Sequence, residues 1–545
     1  MRKNNLTLLA VLAVFLAWGF DQLFWQKAVG ISFFLFVLLC LFAGFILSWR
    51  AEKIPARTSL LLLAPILYFA GMTFLRLEPF TLLVDFGLAL AGMLVLSLTW
   101  LGGRWWQYTL SDYALNTLRW VGSVLVKPFQ SFLPQFLQAR NGEGQDDQPT
   151  QAEPDSAAVR DAGRARPLLA VLLGLLLAFP LVSLLAVLLA QADLLFAQQL
   201  RDFLQFFDIE NIAEYIFRLT YILVLAFLLS GVYLHALLQS QDEKLSTGES
   251  TWYSSFLNWL AAVTVLVCVD LLFTFFVIIQ FRYFFGGRAN IALDGFTYAE
   301  YARRGFGELL AVAFISFLVF LGLSAITRRE QARSRWAFSA SGIVLVALVA
   351  VILVSAFQRL LLYEAAYGFT RIRTYTHVFM LWLGLLLAAM VVLESLGAMQ
   401  RFGLAFVLVA LGFGATLNVL NVDAFIVRQN VARAAQGEKL DIVYLVNLSD
   451  DAVPALFTQF DIRPEISQVR DQIGAVLACR SAFLSEQDRV RPWPSYHISH
   501  ARAAGLFEEH QAALAAYPLR RVDGRWQVIL NDQAIACQYE PDWQD

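Results

Sequence analysis

The sequence predicts an all-α polytopic membrane protein with a small, mainly helical extramembrane domain at its C-terminal end. Three observations carry that reading. Long apolar runs recur, Leu168 to Ala190, Phe256 to Ile279 and Gly307 to Ile326 being the clearest. A helix of roughly 20 such residues crosses a bilayer's hydrocarbon core while satisfying its own backbone hydrogen bonds. The chain is 59% hydrophobic and 15% charged, with a mean hydropathy of +0.60, outside the range of soluble globular proteins. From Asn421 to Asp545 the sequence turns polar and mildly acidic. About 120 residues suffice for one small domain.

Taken in order, the apolar runs give about eleven spans. Met1-Arg2-Lys3 before apolar Leu6 to Phe20 has the outline of a secretory signal. Trp18, Phe20 and Asp21 crowd the position where small residues would permit cleavage, so it reads as an uncleaved first span near 6–21. Spans near 29–48, 59–75 and 80–101 complete an N-terminal bundle over residues 1–104. Segment 105–140 carries Trp105, Trp106, Tyr108, Tyr113 and Trp120 among leucines and scattered charge, the pattern of amphipathic helices at the membrane interface. Residues 141–166 are polar with no apolar period and read as a disordered linker. A seven-span core over 167–420 follows, with runs near 167–190, 213–238, 256–280, 307–326, 338–357, 376–395 and 402–420. In the tail, Ile466 to Leu484 and Ser499 to Tyr517 have helical spacing, and Asp523-Gly524 between short alternating runs signals a β-hairpin.

Lys and Arg in short loops set orientation. Threading the spans puts Arg2, Lys3, Arg50, Lys53, Arg57, Arg104, Arg164, Arg166 and the Arg328–Arg335 loop on one side, which should be cytoplasmic. The tail then lies outside, on an inner membrane if the chain is bacterial. Loops 281–306 and 358–374 resist this, because they carry several arginines on the outer side. Either the span count is off by one, or partners hold those arginines.

The same outer face carries a recurring set of carboxylate, phenol and guanidinium groups. Glu214, Tyr215 and Arg218 introduce one span. Glu300, Tyr301, Arg303, Arg304 and Glu308 introduce a second, and Glu364, Tyr367, Arg371 and Arg373 a third. Grouped at a membrane face, such residues can bind a charged headgroup or a phosphate, for which the arginine fork is suited. Equally, they can be the tyrosine belts and ion pairs that anchor helix ends. Asp85 and Asp270 lie inside apolar runs, where an ionisable group is costly and often marks a transport path. Cys479 and Cys537, both in the tail, are the only plausible disulfide pair, since Cys40 and Cys268 lie in apolar runs.

Other chemistries find little support. A net charge of -2 gives no basic field, so nucleic acid is not expected as a partner. His497, His500 and His510 match no closed zinc spacing, and no metal or cofactor is expected. Phosphate loops, serine elbows and His-Glu-x-x-His motifs are missing from the sequence.

Several stretches are familiar together: Phe296 to Phe306, Tyr367 to Arg373, Asn421 to Phe425, Leu440 to Leu445 and Asp451 to Leu456. They resemble a bacterial multi-pass membrane family catalogued as a domain of unknown function, the DUF4153/4173-like group. The likeness covers roughly residues 165 to 515, the first four spans carrying no matched motif. Trp493 to Ala504 is similar too, although His497 stands where that family's pattern has Asn. The resemblance implies a polytopic membrane protein and no activity. Three roles therefore compete: a transport or flippase-like component, a membrane-embedded transferase on a lipid-linked substrate, and a signalling or scaffold protein whose tail binds an envelope partner. Membrane lipid is an expected partner in all three. The transferase is disfavoured, since such enzymes present acidic residues in a sizeable first external loop and here that loop is only Asp21 to Ala28.

Overall fold

A computed structural model describes residues 3–141, 178, 182, 185–205, 212–240, 256–285, 306–463, 467–487, 491–530 and 533–538. The protein is an all-α polytopic membrane protein. Among the described residues, nine helices are long and apolar enough to cross a membrane. In chain order the bundle helices are α1 (Lys3–Phe24), α2 (Ile31–Arg50), α3 (Arg57–Leu60), α4 (Leu63–Met72), α5 (Pro79–Thr99), α6 (Leu110–Asn141), α7 (Leu194–Gln205) and α8 (Ile212–Leu238). They continue as α9 (Trp259–Phe285), α10 (Phe306–Ile326), α11 (Ala332–Tyr367), α12 (Arg371–Ser395) and α13 (Phe402–Leu420).

Against the expected eleven spans, two differences stand out. The run near 59–75 is not one helix but α3 and α4, too short together to count as a span. Pro65 lies in the first turn of α4, where its missing N–H costs no helical bond, so the helix restarts just ahead of it. The run near 167–190 lies mostly outside the described residues, as does the linker 141–166 beyond Asn141. Elsewhere the expected spans match helices; α11, however, runs 36 residues and carries Glu364 and Tyr367 in its last turn, not ahead of α12. It ends at Gly368, whose φ of 82° a side chain would resist.

The amphipathic segment forms α6, which lies along α8. Ser123 donates to Gln239 at 2.8 Å, Phe129 and Phe227 rings stand 4.9 Å apart, and a Cβ on Gly231 would meet the Val124 carbonyl at 2.1 Å. That glycine lets the two backbones touch.

Both ends of the bundle are identifiable. At one end lie Arg50 beside Asn5, Lys53 on the Leu237 carbonyl, and Arg329 on Glu394. At the other lie Asp21 with Arg218, the 74–78 loop, and the start of α12. The tail packs on this second end.

The tail begins directly from α13. Asn421 takes a left-handed conformation (φ 51°, ψ 78°), tolerated by Asn, and its side chain accepts from the Ala424 N–H. There follow α14 (Val422–Ala434), α15 (Ile442–Val446), α16 (Val453–Asp461), α17 (Gln468–Gln487), α18 (Ile498–Glu509) and α19 (Gln511–Leu514). A three-stranded antiparallel meander closes it: β1 (Leu519–Val522), β2 (Arg525–Leu530) and β3 (Gln533–Ala536). The hairpin turns on Asp523 and Gly524, both with positive φ, as a two-residue turn between twisted strands requires. Strand β3, four residues long, had no sequence signal. Cys479 of α17 and Cys537 after β3 are disulfide-bonded, with Cα atoms 5.5 Å apart. Val378 of α12 and Leu417 of α13 belong to the same buried cluster as Val427, Leu456, Phe457 and Leu477. The tail's core is thus continuous with the bundle's end.

Candidate functional site at the junction of bundle and tail

Glu78 precedes Pro79 and caps α5. Its carboxylate accepts from the N–H groups of Phe80 (3.1 Å) and Thr81 (2.7 Å) and from the Thr81 hydroxyl (2.6 Å). The Tyr375 hydroxyl donates to the same carboxylate. Arg371 opens α12 nearby, its Nε 3.8 Å from Glu78. The Arg371 fork engages Asp423 of α14 with both arms, at 2.8 and 2.6 Å. Asp423 is fully buried and also accepts from the Ser449 N–H at 2.6 Å. Two-armed pairs of this kind fix orientation as well as charge.

The 74–78 loop is clasped from the tail side. Asp451 accepts from the N–H groups of Leu77 (2.7 Å) and Glu78 (3.0 Å), and from the Ser499 hydroxyl. The Ile498 N–H donates to the Phe74 carbonyl at 2.9 Å, and His497 Nε2 to the Arg76 carbonyl at 2.9 Å. Arg76 in turn donates to the Asn418 carbonyl, and Asn418 to Asp85 at 2.6 Å. Behind the loop, Asp450 accepts from Arg480 (2.7 Å) and pairs with His500 (2.8 Å). Arg480 also donates to the Val446 and Leu448 carbonyls.

Burial raises the pKa of Asp450, but His500 and Arg480 outweigh it and hold the carboxyl below its usual range. Asp451 is pushed up by burial, with Ser499 and the Leu77 N–H acting the other way. His497 is lowered to about 4, chiefly by burial. Its geometry agrees: a carbonyl only accepts, so Nε2 carries the proton, and Nδ1 is buried without a partner. Burial opposes the charged ring, and the Arg76 and Thr73 backbone groups offset that only in part.

A pH effect follows. His497 takes a proton in the unfolded chain near pH 6.5 but in the folded protein only near pH 4. Stability present above pH 6.5 is therefore lost progressively down to about pH 4, roughly 3 kcal/mol at 1.36 kcal/mol per pKa unit. Asp451, raised on folding, works in the opposite sense. Thermal unfolding of the full-length protein between pH 7.5 and 4.5 should fall more steeply than that of the His497→Asn variant. Equal slopes in the two would count against this account.

The residues singled out from sequence divide sharply. Arg371 sits at the centre of the junction. Arg373 donates to the Gly368 carbonyl and its guanidinium lies 4.1 Å over the Tyr363 ring. These contacts show how arginines of the 358–374 loop are held. Glu364 is buried against His377 at 3.2 Å, between α11 and α12, while Tyr367 is exposed with its ring on Tyr363. Glu214 and Arg218 belong to a separate staple: Arg218 pairs in two-armed fashion with Asp21 of α1, and Trp25 donates to Glu214 at 2.8 Å. Tyr215 and Glu308 are exposed. Glu300, Tyr301, Arg303 and Arg304 lie outside the described residues. Asp85 is bound to Asn418, and Asp270 is buried on α9 with Oδ1 lacking a hydrogen bond. Among the described residues, no three His, Cys, Asp or Glu side chains are grouped to hold a metal.

Sequence reasoning passed over Glu78, Asp423, Asp450, Asp451 and Arg480. Glu78-Pro79 was the available signal, an acidic cap before a proline at a helix's first position. Asp423 and Asp451 stood inside motifs whose purpose the sequence did not disclose.

A family model described as "Domain of unknown function (DUF4153)" matches residues 60–459. The chain belongs to the DUF4153 family. No curated protein and no solved structure matches it. The DUF4153 region starts earlier than the sequence motifs did, within the α3–α4 segment, and ends in α16. It contains Glu78, Arg371, Asp423, Asp450 and Asp451. Arg480, His497, Ser499, His500 and the disulfide lie beyond it. The family segment therefore supplies the acids of the junction, and the following segment supplies several of the groups that close on them.

Proposed function

We propose that this integral membrane protein is an envelope-associated component that presents its tail, seated rigidly on the bundle, at the outer face of the membrane. The observation that supports the reading most is the two-armed Arg371–Asp423 pair, together with Asp451 on the 74–78 loop. Arg371 and Asp423 neutralise each other across the junction, and Asp451 is engaged by backbone N–H groups and the Ser499 hydroxyl. A transport path would need polar groups left available to a passing solute, whereas a paired set favours fixing one element on another. The reading is of a signalling or scaffold component, with the polar cluster holding its tail in place.

Sidedness is the first thing to test. The Arg328–Arg335 loop lies at the end of the bundle opposite the tail, because Arg329 pairs with Glu394 at the far end of α12. Basic loops favour the cytoplasm. A reporter active only outside the cytoplasm, fused after Asp545, is expected to be active, and one inserted within 328–335 silent. The reverse pattern would overturn the outward placement.

A further inference from the structure

At the junction a cleft of about 460 Å³ opens between the start of α5, the 446–450 loop and α17. Guanidinium groups reach its lining from three separate places: Arg371 from α12, Arg480 from α17 and Arg491 from the segment before α18. Asp450 is the one carboxylate among the lining residues. Phe483, Leu484 and Leu77 make one part of the wall apolar, beside the polar Asn447, Ser449 and Gln538.

We propose that this cleft binds a phosphate-bearing ligand. Arg371 is paired with Asp423 behind the wall and Arg480 with Asp450 in it, but Arg480 is more than nine-tenths buried and its Nε–H has no hydrogen-bond partner. A buried donor left unbonded is costly, and Arg480 lines the cleft in which an anion would sit. Arg491 is exposed and has no acidic partner among the described residues. Forked donors converging from three elements match the several oxygens of a phosphate better than the two of a carboxylate. The apolar part of the wall accepts the remainder of the molecule. A lipid headgroup and a soluble phosphate share this chemistry, and the cleft's position at the end of a membrane bundle admits both. The proposal depends on the tail being seated on the bundle and is independent of which side of the membrane that end faces.

The test uses the purified full-length protein and the variants Arg491→Gln and Arg491→Lys. Arg491 is exposed and outside the junction network, so these should fold. Arg502→Gln, an exposed arginine on α18 away from the cleft lining, controls for loss of surface charge. One arm adds inorganic phosphate and reads the thermal midpoint. The other adds phosphatidylglycerol or phosphatidylcholine and counts retained lipids by native mass spectrometry. The expected result is an anion-dependent stabilisation or lipid retention in the wild type, about tenfold weaker in Arg491→Gln, partly restored in Arg491→Lys and unchanged in Arg502→Gln. A response to phosphate assigns a soluble ligand, and a response to phosphatidylglycerol alone assigns a headgroup. Equal responses in wild type and Arg491→Gln, or none in either arm, would overturn the proposal. The fusion experiment above can fail without touching this result, so the two are distinguishable.

Discussion

Replacing Asp423 with Ala is expected to cost about 3–5 kcal/mol and to loosen the tail from the bundle. Asp423 is fully buried, and its removal leaves the Arg371 guanidinium without its two-armed partner and the Ser449 N–H without an acceptor. Glu78, 3.8 Å from Arg371, is already engaged by the α5 cap and Tyr375, so it recovers only part of the loss. Arg371→Gln should be comparably damaging, because it strands a buried carboxylate. The Arg371→Gln, Asp423→Asn double variant should lose less than the sum of the two single changes, since a lone desolvated charge is worse than none. Denaturant unfolding in detergent, with protease susceptibility of the tail as a second readout, measures all four corners of the cycle. Coupling near zero would mean that the pair does not hold the junction. The Arg218–Asp21 staple on α1 and α8 is the internal comparison: breaking it should leave the tail's protease resistance unchanged.

The second large effect concerns the disulfide. Cys479 and Cys537 are fully buried and 58 residues apart in sequence. Opening a loop of that length frees the unfolded chain by about 4 kcal/mol in the entropic model. Cys537→Ala should release the β-meander from α17, because the bond joins that helix to the chain just after β3. Both thiols of the wild type should resist alkylation in denatured, unreduced protein. Quantitative labelling of both would exclude the bond, and would also argue against an oxidising compartment for the tail.

How far the residues could be read in advance depended on the range of the interaction. Spans followed from composition alone, since every apolar run faces the same demand that backbone groups be satisfied within the segment. The hairpin followed from Asp523-Gly524 because a two-residue turn is local. Short strand β3 did not, because Gln533–Ala536 has pairing but no pattern. Arg371 was found as an arginine on the face where arginines are scarce. Its partner was not, because Asp423 is 52 residues away and only the packing of α14 on α12 brings them together. The same distance hid Asp451, which reaches a loop more than 370 residues earlier in the chain.

Sequence by itself determined the class, the positions of most membrane helices and the two cysteines able to pair, because each rests on a property of one segment or on counting. Tertiary structure alone decided where the described members of the Glu/Tyr/Arg sets go, those at 300–304 lying outside the described residues. Glu214 and Arg218 close onto α1, Glu364 turns inward to His377, and Arg371 locks the tail to the bundle. The physical reason is that a charge at a helix end goes to whichever opposite charge packing brings within reach, and that choice is made by elements distant in sequence.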